Sequence, residues 1–420
     1  MKKTAILFPG QGSQYVGMGK QIYDNFEIAR HTFEEANEVL QFDLQSLCFG
    51  GDLAELTKTE ITQPAILTCS VTAFRVYMQE IGLAPSCLAG HSLGEISALT
   101  CAGGIAFEDA VQLVHYRGKC MQDSVKESIG CMSAVSGVSA EVIEDYCQQV
   151  SEPGSVVKIS NFNAADQVVI SGHIDAVAKV ENMLKGLGAI AIRLKVSGAF
   201  HNPLMKEASL LFNQALGKYD YSPLRYPVIS NVTARPYETE RLIPHYLTMQ
   251  ITEPVRWQAS MHYLQQLGVE VAIEMTPKAV LTRLMATNAP SIATYAFDNE
   301  NVENVKGIVT RKQPKTNAIS QCLAIAVSTR NQNWDQAEYR AGVIEPYQKV
   351  QSIQDELDQT VQAPSTEQMA EALDMLMSVF RTKRVSEAEQ HMRIQQLLDQ
   401  TDAAHPFFAL LTNQLGAIPL

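Results

Sequence analysis

The stretch Cys87-Leu88-Ala89-Gly90-His91-Ser92-Leu93-Gly94-Glu95-Ile96 decides how this chain folds. Four small or apolar residues, Cys87 to Gly90, read as a short buried strand that stops at His91-Ser92, and an apolar pattern of helical spacing continues through Ile96, Leu99 and Ala102. A G-x-S-x-G pentapeptide between a strand and a helix has the context of a nucleophile elbow. The glycines are needed there because side chains flanking Ser92 would collide with the neighbouring strand and helix. Ser92 is thereby held at a helix N-terminus, where the amide of Leu93 faces the oxyanion formed when an acyl carbonyl is attacked.

Outward from this elbow the same texture repeats. Ala5 to Phe8 reads as a buried strand, and Gly10, Gly12, Gly17 and Gly19 form a tight loop into a helix near Lys20 to Leu40. A second helical stretch covers about Ala65 to Ile81, strands are expected at Tyr226 to Ser230 and Glu270 to Glu274, and a helix starts at Ala279. Short apolar strands alternating with helices predict an α/β fold, an α/β-hydrolase-like parallel sheet covered on both faces. Between 126 and 197 the pattern reads β-α-β-β-α-β. The strands are Cys131 to Val138, Val156 to Ser160, Gln167 to Ser171 and Ala189 to Lys195, with helices at Glu141 to Val150 and His173 to Gly186. That order is an inserted ferredoxin-like subdomain.

From about 300 onward the chain is helical and glutamine-rich. Ile344, Tyr347, Val350 and Leu357 form one apolar stripe, and Met369, Leu373, Leu376, Met377 and Phe380 a second. Pro364-Ser365-Thr366-Glu367 separates them, with Ser365 or Thr366 able to cap the later helix. Isolated helices of this length are marginal in water, so the stripes have to be buried against the body, one another or a partner. The expected domains are therefore an α/β core at 1–125 and 198–300, a subdomain at 126–197, and a C-terminal helical extension at 301–420.

The chain has 420 residues, with 33 Lys+Arg against 45 Asp+Glu and a net charge of −12. Without a basic run, that balance gives no electrostatic support for binding nucleic acid or an anionic membrane. The eight cysteines are scattered, with no CxxC pair and no spacing suited to a metal, so they read as reduced buried thiols. The apolar run after Lys3 is too short for a signal peptide and no stretch of about 18 apolar residues occurs. A cytoplasmic protein with no metal and no bound cofactor is expected.

A serine nucleophile needs a base, and of the nine histidines His201 is the best placed. It lies in Gly198-Ala199-Phe200-His201-Asn202-Pro203, a turn of small residues after a strand, where a side chain can project into a cleft. His91 adjoins the serine but points away from it if Ser92 occupies the elbow.

Six motifs occur in order: Phe8-Pro9-Gly10-Gln11-Gly12-Ser13-Gln14, Gly90-His91-Ser92-Leu93-Gly94-Glu95, Tyr116-Arg117-Gly118-Lys119, Asn161-Phe162-Asn163, Gly198-Ala199-Phe200-His201, and Gln250-Ile251-Thr252-Glu253-Pro254-Val255-Arg256-Trp257. On these the chain resembles the malonyl-CoA:acyl carrier protein transacylase family of fatty-acid and polyketide synthesis. Its extension is similar to the tail of some freestanding acyltransferases that act in trans for polyketide synthases. The resemblance implies Ser92 as nucleophile and His201 as base, oriented by the main-chain carbonyl of Gln250. The amides of Gln11 and Leu93 would form the oxyanion hole, and Asn161 would line the cleft in its Asn-Phe-Asn turn. Arg117 would hold the malonyl carboxylate by a bidentate, charge-assisted contact that an acetyl group cannot make. Phe200 would crowd a 2-methyl branch. Malonyl-CoA and the phosphopantetheine arm of an acyl carrier protein would be the substrates.

One turn departs from the family. Where a glycine-proline-glycine follows an acidic residue, this chain has Glu274-Met275-Thr276-Pro277-Lys278, so an altered local shape with activity retained is expected. Two rivals remain: a proofreading acyl hydrolase of the same fold, which has no need of Arg117, and a non-catalytic scaffold of a synthase assembly, which would not acylate itself.

Overall fold

The computed structural model describes residues 2–124, 130–194, 196, 198–298, 302–310, 318–360, 364–400 and 406–415. The expected limits at 126, 197 and 300–301 lie outside these. The chain divides into two compact units, Met1–Thr310 and Arg311–Leu420.

Among the described residues the first unit contains nine strands: β1 (Thr4–Phe8), β2 (Cys87–Gly90), β3 (Gly130–Ser136), β4 (Val157–Ala164), β5 (Gln167–His173), β6 (Ile190–Arg193), β7 (Val228–Ile229), β8 (Val271–Glu274) and β9 (Ala293–Ala296). Five make a parallel sheet in the order β7-β2-β1-β8-β9. β1 is central, with Phe8 opposite Gly90 and Leu7 opposite Glu274, so the glycine loop, the serine elbow and the β8 turn all leave the same carboxyl end of the sheet. Alternation along the strands feeds two cores. Ile6, Phe8, Leu88 and Ile273 face one set of helices, while Ala5, Leu7, Ala89 and Ala272 face the other.

The other four strands form an antiparallel sheet in the order β4-β5-β3-β6, with helices Ala140–Val150 and Ile174–Lys185 on one face. With strands numbered within the insertion this is 2-3-1-4, the ferredoxin-like arrangement. β4 is longer than the sequence suggests and runs through Asn161-Phe162-Asn163, because Val255 pairs with it: Phe162 N–H donates to Val255 O at 2.9 Å and Val255 N–H to Ser160 O at 2.9 Å. Asn161 therefore stands on a bulged strand and not in a turn.

Two further expectations change. The helix near Lys20 to Leu40 is two helices, Lys20–Asn25 and Glu27–Leu40, because Phe26 is extended (φ −130°, ψ 130°). The core runs past 300, since helix Val302–Thr310 buries Val305 and Val309 in the cluster that holds Ile6 and Phe8.

The second unit has its own core. Val350 and Leu357 of helix Glu345–Thr360 meet Met369, Leu373, Leu376 and Phe380 of helix Thr366–Thr382, together with Ile319 and Cys322. Ser365 caps the later helix in a complete capping box with Gln368. The earlier stripe starts one residue sooner than expected. A π-helical turn at Arg340–Ile344 turns Val343 inward and leaves Ile344 exposed. No described helix is long and apolar enough to cross a membrane.

Candidate active site

The elbow is formed by close backbone approach. A Cβ on Gly90 would overlap the backbone of Gly94 and Glu95, and one on Gly94 would overlap the Phe8 carbonyl. Between these glycines Ser92 adopts φ 54° and ψ −108°, a strained conformation at the N-cap of helix Leu93–Cys101. Asn231, just after β7, fixes it from outside: Ser92 N–H donates to Asn231 Oδ1 at 2.7 Å, and Asn231 Nδ2 donates to Gly90 O at 2.6 Å.

His201 approaches from the loop after the antiparallel sheet, itself at φ 56° and buried. Its Nε2 lies 2.8 Å from Ser92 Oγ and its Nδ1 lies 2.7 Å from the main-chain oxygen of Gln250. Gln250 ends helix Ile243–Gln250, where the last carbonyls have no partner within the helix and are free to accept. A carbonyl only accepts, so Nδ1 carries the hydrogen and Nε2 presents its lone pair to the serine hydroxyl. Burial first, and the nearby Arg117 charge second, hold the His201 imidazole down to about 3, so it is neutral at physiological pH.

Arg117, on helix Phe107–Asp123, is buried at 1% exposure. The helix can place it there because Gly118 packs directly on the Thr59 carbonyl. Its Nη1 donates to Gln63 Oε1 at 2.9 Å, and its Nη2 to Gln250 Oε1 at 2.8 Å and to Ser92 Oγ at 3.3 Å, while Nε has no partner among the described residues. No ion pair to Arg117 occurs among those residues either. Burial lowers it to about 10, so it stays cationic.

Behind the serine, Glu95 is fully buried. It accepts from Tyr237 Oη at 2.6 Å, Gln250 Nε2 at 2.6 Å and Asn231 N–H at 3.2 Å, and burial pushes it up to about 7. Gln250 Nε2 also donates to Ser92 O at 3.0 Å.

These groups meet in a cleft of about 260 Å³ whose walls include Gln11, Leu93, Asn161 and Phe200 as well as Ser92, Arg117 and His201. Gln250 supports it from behind. A larger groove of about 670 Å³ around Cys147, Val157, Phe162 and Arg256 contains no nucleophile–base pair. His91 turns its Nε2 to Asn163 Oδ1 at 2.9 Å and its ring to Trp257. Sequence reasoning missed Gln63, Glu95, Asn231 and Tyr237 as members of this network. Only Glu95, three residues beyond Ser92 and the one charged residue of helix Leu93–Cys101, carried a signal that could have been read.

The acyl transferase domain family matches residues 6–330. A malonyl CoA-acyl carrier protein transacylase of Bacillus subtilis is 38% identical over 398 residues, covering 93% of this chain and 99% of its own. The transacylase of Escherichia coli K12 is 43% identical over 299 residues, covering 71% and 96%. Among solved structures, the transacylase of Coxiella burnetii superposes with a TM-score of 0.71 at 37% identity, covering 74% of this chain and 98% of that one. A malonyl-transacylase solved with a type II polyketide synthase acyl-carrier protein reaches 0.70 at 38%, covering 72% and 98%. With the domain matched over most of its length and its relatives aligned almost end to end, the chain belongs to the malonyl-CoA:acyl carrier protein transacylase family.

Proposed function

We propose that this chain moves a malonyl group from malonyl-CoA through a Ser92 ester to the phosphopantetheine thiol of an acyl carrier protein, with no bound cofactor. In the first half-reaction Ser92 Oγ attacks the thioester carbonyl while His201 Nε2 takes its proton. The oxyanion is met by the amides of Leu93 and Gln11. Collapse of the tetrahedral adduct breaks the C–S bond, and the proton on Nε2 goes to the departing CoA sulfur. The second half-reaction runs the same steps in reverse order, with the carrier's thiol giving its proton to His201 as it attacks the ester. The Gln250 carbonyl keeps the imidazole aimed throughout. Asn161 and Phe200 shape the acyl cleft.

The observation that carries the donor is Arg117, a buried cation without an ion-pair partner among the described residues, 3.3 Å from Ser92 Oγ. A buried charge is costly unless an anion meets it. A carboxylate two bonds beyond the attacked carbonyl carbon would meet it here, whereas water or an acetyl group would not.

The service we assign is to a polyketide synthase, acting in trans in the cytoplasm. Support comes from the unit at Arg311–Leu420, which the Escherichia coli relative's 299-residue match cannot span, and from the polyketide synthase carrier protein bound to the similar malonyl-transacylase in its solved complex. The test is intact-mass measurement of self-acylation from malonyl-CoA, then transfer to holo carrier domains of the synthase and to a fatty-acid carrier. Malonyl mass on wild type, none on Ser92→Ala, and faster transfer to the synthase domains are expected. Release of free malonate without transfer would make it a hydrolase, and equal transfer to both carriers would remove the polyketide assignment.

A further inference from the structure

We infer that Lys278 is a positioning residue that fixes the glycine loop bearing Gln11, and so sets the second oxyanion donor. This rests on the proposed acyl transfer and deepens it. Lys278 holds φ 65°, a left-handed conformation that a lysine enters at a cost and a glycine enters freely. It occupies the turn after Glu274, so the chain carries strain there that a glycine would avoid.

The side chain shows what accompanies that strain. Lys278 Nζ donates to the main-chain oxygen of Gln14 at 3.0 Å, and its ammonium lies 5.9 Å from the Tyr15 ring centroid. Its own N–H donates to Asp298 Oδ2 at 2.9 Å. The same carboxylate oxygen accepts from Tyr15 Oη at 2.7 Å, and Oδ1 accepts from Thr276 Oγ1 at 2.8 Å. Lys278 therefore joins the turn after β8 to the loop after β1 directly through Gln14 and indirectly through Asp298 and Tyr15. Within that loop the Gln14 side chain accepts from Gly12 N–H at 2.8 Å, and Gln11 Nε2 reaches Thr59 Oγ1 at 3.3 Å. Gln11 is thus held from one side by helix Thr59–Glu80 and from the other, through Gln14, by Lys278. A glycine at 278 would make the same turn and supply no donor to Gln14.

An oxyanion donor acts on any acyl carbonyl, and mainly in the transition state. Loosening it should lower the acylation rate constant for every donor alike and leave KM nearly unchanged, unlike loss of a carboxylate contact. The experiment compares Lys278→Gly, Lys278→Met and Lys278→Arg by single-turnover acylation with malonyl-CoA and acetyl-CoA, with Tm read alongside. Lys278→Gly relieves the strain and removes the donor, so it should be at least as stable as wild type yet acylate about tenfold more slowly with both thioesters. Lys278→Met should slow similarly, and Lys278→Arg, which keeps a donor, should retain most of the rate. A Lys278→Gly protein acylating at the wild-type rate, or slowed only with malonyl-CoA, overturns the positioning role while leaving acyl transfer intact. A wild-type protein that gains no acyl mass removes both.

Discussion

The Arg117 guanidinium is kept from the Glu95 carboxylate by one neutral side chain, that of Gln250, which accepts from the first at 2.8 Å and donates to the second at 2.6 Å. The amide transmits structure without neutralising the cation. Direct contact between the two charges would pair Arg117 internally and compete with any incoming carboxylate. The same residue orients His201 through its main-chain oxygen, so its side chain and its backbone serve different partners.

Replacing Gln250 by Glu should therefore depress malonyl use selectively. Two adjacent buried carboxyls would share a proton and leave at least one negative charge beside Arg117. The ratio of malonyl to acetyl acylation, read by intact mass, should fall about tenfold or more, in the range of a lost charge-assisted contact. An unchanged ratio would show that Arg117 is not the selector.

Arg117→Ala tests the same idea from the other side. Losing the bidentate contact should cost malonyl-CoA ~1.5–3 kcal/mol in kcat/KM, or roughly one to two decades, while acetyl-CoA loses little or gains. Competition between the two thioesters gives the number directly. Equal loss with both would reassign the arginine to holding Gln63 and Gln250 in place.

How much of this was legible follows from range. The elbow, β2 and the β-α-β-β-α-β order are local patterns of apolar spacing and glycine, and the structure places β2 at Cys87–Gly90 as read. Ser92, His201 and Arg117 could be named because motifs carry them. Asn231 and Tyr237 could not, since they reach Ser92 and Glu95 across 139 and 142 residues of sequence and sit in ordinary polar loops. β9, Ala293–Ala296, was missed because four residues at a sheet edge with partial exposure carry little periodicity. The extra residue at Arg340–Ile344 escaped for the opposite reason. A helical pattern remained, and only packing decides which side of it turns inward.

The pH profile should expose the environment of His201. A base works when unprotonated, and burial together with the Arg117 charge lowers this imidazole to about 3, so protonation should not limit acylation near the ordinary histidine value of 6.5. With acetyl-CoA, whose acyl group does not titrate, kcat/KM should show no limb from His201 between pH 8 and about 5, and an inflection near 7 would belong to Glu95, which burial pushes up to about 7. In Arg117→Ala the acid limb should move upward, because one of the two main causes of the shift is gone. A wild-type limb near 6.5 that persisted in Glu95→Gln would mean that His201 is solvated in the working enzyme.

The two units keep separate cores. That of the second is built from residues between Ala318 and Leu411, while Val305 and Val309 already belong to the core of the first. The matching stretch in the Escherichia coli relative spans 299 residues and covers 96% of that protein, so a chain of that extent suffices there for a whole transacylase. A chain ending at Thr310 should then fold and acylate itself from malonyl-CoA within about twofold of the full-length rate, because Ser92, His201, Arg117, Gln250 and Lys278 all precede the cut. Ending at residue 300 should be worse, since it strips Val305 and Val309 from the cluster around Ile6 and Phe8, and removing two buried valines of this kind costs a few kcal/mol by area and packing. Thermal melts of the two truncations, run beside the acylation assay, separate these outcomes. If the chain ending at Thr310 also transferred malonyl to polyketide synthase carrier domains as fast as the full chain, the Arg311–Leu420 unit would have no part in choosing the carrier, and its role would have to be sought outside the transfer reaction.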